Sequence, residues 1–370
     1  MSLFLEKERQ VFKQYFPNVD ENLEQASLWE REMNSDGMIQ LAKEFGVTSL
    51  MIPKEYGGKG ANALDGIYIQ RWIGSKSPSL AVSLMMHQFS VASLIEAAKR
   101  QPSLQVVLKE IASNNLLLAS AFAEGIENNL YTPLVTARET EGGIVVNGTK
   151  KPCTNSRTMD LLTASVSLAN GELAVITIPA DTEGIRVNDF WDHWILKGTH
   201  TEEVVLENVF VPNECIYKAG PAESVDSTIT NGLLWFELFM IATYIGVTSA
   251  LVEKVNQATN VPLEKVFDLM SEMEGTVSAL EGLAFKFESQ QYEESILQET
   301  LFVRNHIDRT LERVSTQATK VLGGLNYLTS KETSYLLLTC QLISFHPPSK
   351  KEVFQLFELY KRGTVQEISV

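Results

Sequence analysis

Cysteine is scarce in this chain. Cys153, Cys215 and Cys340 are the only three among 370 residues, far apart and in no C-x-x-C pair. An odd, scattered set suits a reducing compartment and supplies neither a disulfide framework nor a zinc site. Histidine is nearly as sparse, with five residues and no H-E-x-x-H spacing. Positive charge is short as well: 31 Lys and Arg against 46 Asp and Glu leave a net charge of −15. Such a surface repels phosphate backbones and anionic lipid, which argues against nucleic acid and membranes as partners. Long apolar runs are missing too. The best candidate, "NGLLWFELFMIATYIG" from Asn231 to Gly246, is broken by Glu237, the only charged residue between Ser227 and Val252. The N-terminal "MSLFLEKERQVFKQYF" is charged and amphipathic and lacks the apolar centre of a signal peptide. A soluble, cytoplasmic protein is the expectation.

What is present is ordinary globular composition, 44% hydrophobic and 21% charged, enough for large cores in two or three domains. Three segments differ in character. Residues 1–115 carry apolar residues at helical spacing, as in "DGMIQLAKEFGVTSLMIP", with a Gly-rich loop "PKEYGGKGAN" between helical runs. Residues 116–220 alternate, and "LVTARETEGGIVVNGTKKPC" reads as a β-hairpin turning at Glu141-Gly142-Gly143. Residues 221–370 return to long helical periodicity. The order α, β, α predicts an α+β architecture, a β-domain flanked by two helical parts.

Four motifs lie in order along this frame: "MIPKEYGGKG", "VNGTKKPCTN", "VVLENVFVPNE" and "VLGGLNYL". They resemble the "vPeeyGGlG", "lnGtKxWITN", "l-fdnVxVP" and "ilGGxGy" elements of the acyl-CoA dehydrogenase family. Each is a weak signal alone; four in order are specific. The resemblance implies an N-terminal helical domain, a central β-domain and a C-terminal four-helix bundle. It also implies FAD, an acyl thioester substrate on CoA or acyl carrier protein, and a homodimer or homotetramer. In that chemistry a carboxylate removes a proton from Cα while hydride leaves Cβ for the flavin, introducing a Cα–Cβ double bond. Thr154 falls where the family contacts flavin N5 and reads there as a hydrogen-bond donor, Glu124 falls on the loop over flavin and substrate, and Gly323 and Gly324 where backbone approaches the cofactor. From the residues alone, Thr154 also reads as a strand-end turn cap.

The chain departs from the family in several places. Ala123 stands where a Thr meets the flavin ring, and Pro152 where a Trp packs on it. "VNQATNVPLEKV" lacks the phosphate-binding Arg. "FHPPS" stands where "EGT" carries the base. Two residues remain to take up the proton. Glu237 lies on the first long C-terminal helix, where some members carry their base. The count from Gly246 puts Phe236 at that exact place and Glu237 one residue, about 100°, beyond it. Its other reading is a carboxylate paired with a buried Arg. His346 lies near the missing acid and reads either as a proton acceptor or as a turn histidine bonded to backbone. The expected activity is flavin-dependent dehydrogenation of an acyl thioester. The alternatives are a flavin monooxygenase of the same fold and a flavin-poor scaffold with a binding or non-redox role.

Overall fold

The computed structural model describes residues 4–125, 132–221, 226–289 and 296–363. The chain opens with α1 (Glu6–Tyr15), α2 (Val19–Glu24), α3 (Leu28–Met33) and α4 (Ser35–Glu44). Then come α5 (Ala63–Lys76), α6 (Pro78–Arg100) and α7 (Gln105–Asn114). Ser77 caps α6 by accepting from Leu80 N, and Pro78 occupies the first helical turn, where its missing N–H costs nothing.

Strands follow: β1 (Leu118–Ala121), β2 (Thr136–Thr140), β3 (Gly143–Cys153), β4 (Leu161–Leu168), β5 (Glu172–Pro179), β6 (Ile185–Asn188), β7 (Glu202–Pro212) and β8 (Ile216–Pro221). They form one sheet in the order β6-β7-β3-β2-β4-β5-β8, with β1 parallel to β4. β2 and β3 make the expected hairpin. Thr140 pairs with Gly143, and Gly142 holds the turn at φ 79°, which a residue without Cβ adopts freely. The β3–β7 ladder slips between Lys150 and Cys153, where Pro152 has no N–H to donate.

The C-terminal part is α8 (Ser227–Gln257), α9 (Leu263–Glu288), α10 (Ile296–Thr329), α11 (Lys331–Cys340) and α12 (Lys350–Lys361). The architecture is thus the helical, sheet and helical arrangement of an acyl-CoA dehydrogenase-like α+β fold. The two helical parts share one core, and the sheet has its own. α6 and α8 are long and apolar enough to cross a membrane, but both are mostly enclosed in that shared core.

α8 is buried on nearly every side because its neighbours come unusually close. Gly74 of α5 and Gly246 of α8 meet backbone to backbone. A Cβ on Gly246 would lie 2.3 Å from the Arg71 carbonyl oxygen, and one on Gly74 2.6 Å from that of Thr243. In an open helix, Gly→Ala gains roughly 1 kcal/mol. Here Gly246→Ala forces two helices apart, and overpacking of this kind costs roughly 1–3 kcal/mol. The variant is expected to unfold at lower urea than wild type; an unchanged or higher midpoint would show that the two helices do not touch at this pair.

Candidate active site

α8 begins at Asp226, whose carboxylate accepts from Thr228 N at 2.7 Å and pairs with Arg100. Three turns further on, Glu237 is fully buried. Arg304 of α10 answers it: Nη1 donates to Glu237 Oε1 at 2.8 Å. The same guanidinium donates to three carbonyls of the turn after α11, Pro347 at 2.9 Å, His346 at 2.6 Å and Ile343 at 3.5 Å. One cation therefore fastens α8, α10 and the "FHPPS" segment together. Glu237 Oε2 has no hydrogen-bond partner among the described residues. Burial pushes the Glu237 carboxyl up to about 7, against the pull of Arg304.

His346 is held by the same turn. Its Nε2 lies 2.7 Å from the Tyr244 hydroxyl, and its ring stands 5.4 Å from Tyr244 and 6.0 Å from Phe236. Although the residue keeps some surface, the imidazole itself is enclosed. Burial first, and Arg304 second, lower its pKa to about 3. It is neutral at ordinary pH and a weak proton acceptor.

Phe236, one residue before Glu237, packs into a line of rings. Its ring lies 5.2 Å from Phe89 of α6, edge to face, and Phe89 lies 6.3 Å from Phe122 just after β1. The place on α8 where the family resemblance puts a base is therefore an aromatic wall. The line joins the "AFAE" segment, α8 and "FHPPS", three segments far apart in sequence.

On the sheet side, Thr154 follows β3 and bridges to Ser120 of β1. Its hydroxyl is 3.0 Å from Thr201, which is 2.7 Å from Thr199, which donates to the Leu196 carbonyl at 2.7 Å. Each hydroxyl has one hydrogen, so this end point sets the direction of the whole relay. Thr199 spends its hydrogen on Leu196, Thr201 spends its own on Thr199, and Thr154 spends its own on Thr201. What Thr154 has left to offer is a lone pair. Beside Leu196, Ile195 lines a cleft of about 450 Å³ between the β6–β7 connection and α11, with Phe190, Trp191, Leu338, Leu342 and Phe345 among its walls. That volume lies in the range of small-molecule sites.

Glu124 is fixed rather than free. It accepts from Lys150 Nζ at 2.8 Å and from the backbone N–H groups of Leu134 and Val135. Burial opposes its ionisation, but these donors outweigh it and hold its pKa below the usual carboxylate value. It pins both ends of the loop whose centre lies outside the described residues. Gly323 and Gly324 are elsewhere, on a kink of α10 where Gly323 has φ 86° and no atom lies close enough to meet an added Cβ. The structure does not bring them to the other candidates within one chain.

Sequence reading missed Arg304, Phe89 and Phe122. A signal for Arg304 was present. It stands on the buried stripe of α10 with Leu297, Leu301, Ile307, Leu311 and Val314, a 4-3-3-4-3 spacing that is otherwise apolar. A lone cation on such a stripe complements a lone buried acid.

Residues 6–114 match the family "Acyl-CoA dehydrogenase, N-terminal domain". Isobutylamine N-hydroxylase of Streptomyces viridifaciens is 34% identical over 357 residues, covering 94% of each chain. A mitochondrial isovaleryl-CoA dehydrogenase of Solanum tuberosum is 22% identical over 340 residues, 87% of this chain and 81% of its own. Among solved structures, butyryl-CoA dehydrogenase of Megasphaera elsdenii superposes with a TM-score of 0.82 at 14% identity, over 98% of this chain and 99% of the other. FMN-bound TdsC, a dibenzothiophene monooxygenase of Paenibacillus sp. A11-2, does so at 0.81 and 15% identity, over 99% and 100%. The fold is that of the acyl-CoA dehydrogenases. The chain belongs to the acyl-CoA dehydrogenase family, and its relatives there include an N-hydroxylase as well as dehydrogenases.

The ion pair makes two measurable demands. Arg304→Met strands a buried carboxylate and three carbonyls, and breaking such a pair costs roughly 3–5 kcal/mol. Glu237→Gln keeps an acceptor for Arg304 and is expected to cost less. The second demand is on pH. The folded carboxyl, at about 7, binds its proton more tightly than the unfolded one, near 4.5. Its contribution to stability is therefore present at low pH and fades as pH rises through this window. Denaturant titrations across it should show wild type losing stability relative to Glu237→Gln. A constant difference between the two proteins would mean that the carboxyl is not raised.

Proposed function

We propose that this protein is a flavin-dependent monooxygenase that hydroxylates the nitrogen of a small aliphatic primary amine. The observation that carries the reading is the pairing of Glu237 with Arg304 while Phe236 takes the base's place in a wall of rings. Removal of a Cα proton needs a free base. Glu237 is tied to Arg304, and His346 is neutral with a pKa near 3. The 34% identity to an isobutylamine N-hydroxylase over nearly the whole of both chains points the same way and supplies the substrate class.

The cleft suits a flavin ring: its walls are largely apolar and aromatic, and it is large enough. No Arg or Lys is among its lining residues, so it offers a flavin's phosphates no charge-assisted partner of its own. FAD, which the family resemblance implies, and FMN, bound in the Paenibacillus structure, share the ring that the cleft would hold. When bound, reduced flavin supplies the two electrons that activate dioxygen. The chain's residues then have limited tasks. Thr154, whose hydroxyl hydrogen is committed to Thr201, would offer a lone pair to a donor on the bound flavin. Phe89, Phe122 and Phe236 exclude water and receive the alkyl group. Glu124 ties the Leu134 and Val135 backbone to Lys150.

The balance is R–NH₂ plus O₂ plus two electrons and two protons, giving R–NHOH and water. One O–O bond breaks, one N–O bond forms, and an external reductant of the nicotinamide class restores the flavin. The test is turnover of isobutylamine with reduced flavin under ¹⁸O₂. One labelled oxygen should appear in the hydroxylamine. Unlabelled product, or an enoyl thioester formed from an acyl-CoA with no hydroxylamine from any amine, would return the dehydrogenase reading. Thr154→Val should weaken binding of reduced flavin about fivefold, from the loss of one hydrogen bond of about 1 kcal/mol, as read by fluorescence titration.

A further inference from the structure

α9 turns one face outward. Phe267 and Phe285 stand on it, 69% and 57% exposed. They are 18 residues apart, which is five helical turns, so both lie along the same edge of the face. Asp268 and Lys286, each one residue further on, have the same spacing and lie along the opposite edge; both are exposed. Between the edges the outward line is Ser271, Gly275, Ser278 and Gly282. It is uncharged for about three turns, in a chain whose net charge is −15. The flanks beyond the edges are already engaged. Glu274 and Glu281 pair with Arg71 and Lys7 on one side, and Glu272 pairs with Arg313 on the other.

The two glycines ask for a reason. Inside a helix Gly is destabilising relative to Ala, because it loses more backbone freedom on folding. At Gly74 and Gly246 the reason is a neighbouring backbone. At Gly275 and Gly282 an added Cβ would enter open space, with no neighbouring atom within 4 Å. Nothing among the described residues needs these positions bare. A second helix laid on this face would need it, since small side chains at a contact let two helix axes approach closely.

We propose that this face is a self-association surface, on which α9 of a second copy of the chain lies antiparallel about a two-fold axis passing between Thr276 and Val277. A two-fold contact must be self-complementary, because each copy offers the other the same surface. This face meets that demand residue by residue. On one edge the axis sets Phe267 level with the partner's Phe285, so rings meet twice. On the opposite edge it sets Asp268 level with the partner's Lys286, so opposite charges meet twice. Along the centre Ser271 faces the partner's Gly282, and Gly275 faces the partner's Ser278. Charge also selects the direction. Parallel helices would set Asp268 against the partner's Asp268 and Lys286 against the partner's Lys286. Lys286 holds both oxygens of Glu299 in its own chain. An ammonium has three donors, so one is left for the partner's Asp268. The pairing is independent of the reaction the protein performs.

Sedimentation over a concentration series, with a urea titration to check folding, tests this. Gly275→Leu fills open space in a single chain, so its urea midpoint should not fall. Between two copies it wedges the helices apart, and association should weaken about thirtyfold or more. Asp268→Lys sets like charges together twice, and so does Lys286→Asp. Each alone should associate about tenfold more weakly than wild type. An equimolar mixture of these two variants restores opposite charges at both ends of the contact, and should associate within about threefold of wild type. Wild type that sediments as a monomer at every concentration overturns the proposal. So does a folded Gly275→Leu that associates as tightly as wild type, which would put the contact on another face. A mixture no tighter than its two components overturns the antiparallel pairing.

Discussion

A carboxylate and a guanidinium taken out of water together are the constraint around which this site is organised. Glu237 alone in an apolar helix would be prohibitively costly in its charged form. Arg304 makes it tolerable by direct pairing, and the carbonyls of Ile343, His346 and Pro347 use the rest of the guanidinium's donors. Such a pair adds little net stability over a well-packed apolar substitute. What it adds is geometry. It decides where the turn after α11 lies against α8, and hence where His346 stands.

The rest of the site follows from that placement. With the turn fixed, His346 closes one end of a ring line that runs through Phe236 and Phe89 to Phe122. Phe345, one residue earlier in the same turn, lines the cleft beside the β6–β7 connection. The turn thus touches both the ring line and the cleft. On the opposite side the slip in the β3–β7 ladder and the Thr199–Thr201–Thr154 relay present a hydroxyl with its hydrogen already committed. On the proposed reading, these exchanges turn a scaffold for proton abstraction into one for amine hydroxylation.

Much of the fold was legible in the chain because it rests on local physics. Periodicity separated helices from strands, the Glu141-Gly142 turn announced the hairpin, and four short motifs carried the family. The site was legible only in part. Glu237 stood out because a single charge in an apolar run is visible without any structure. The two readings of it, base or partner of a buried Arg, could not be separated by counting residues. Arg304 carried a signal of its own, a cation on an apolar stripe, but nothing in the spacing of α10 says which helix that stripe faces. Phe89 and Phe122 carried none, since one more Phe in a core helix looks like any other. Gly323 and Gly324 show the converse: their motif is plain, yet in one chain they lie on an open kink.

The sequence by itself determined that Glu237 would be buried, because the apolar run on α8 leaves it no water, and it carried in Arg304 a cation on an otherwise apolar stripe of α10. It determined the loss of the family's usual acid as well, since "FHPPS" contains none. Only the tertiary structure decided that these two charges meet. They are 67 residues apart, and their encounter depends on how α8 and α10 pack. It also decided which carboxylate oxygen is taken and which is left over. That choice follows from hydrogen-bond directions at a guanidinium already shared with three backbone carbonyls, and those directions exist only once the chain is folded.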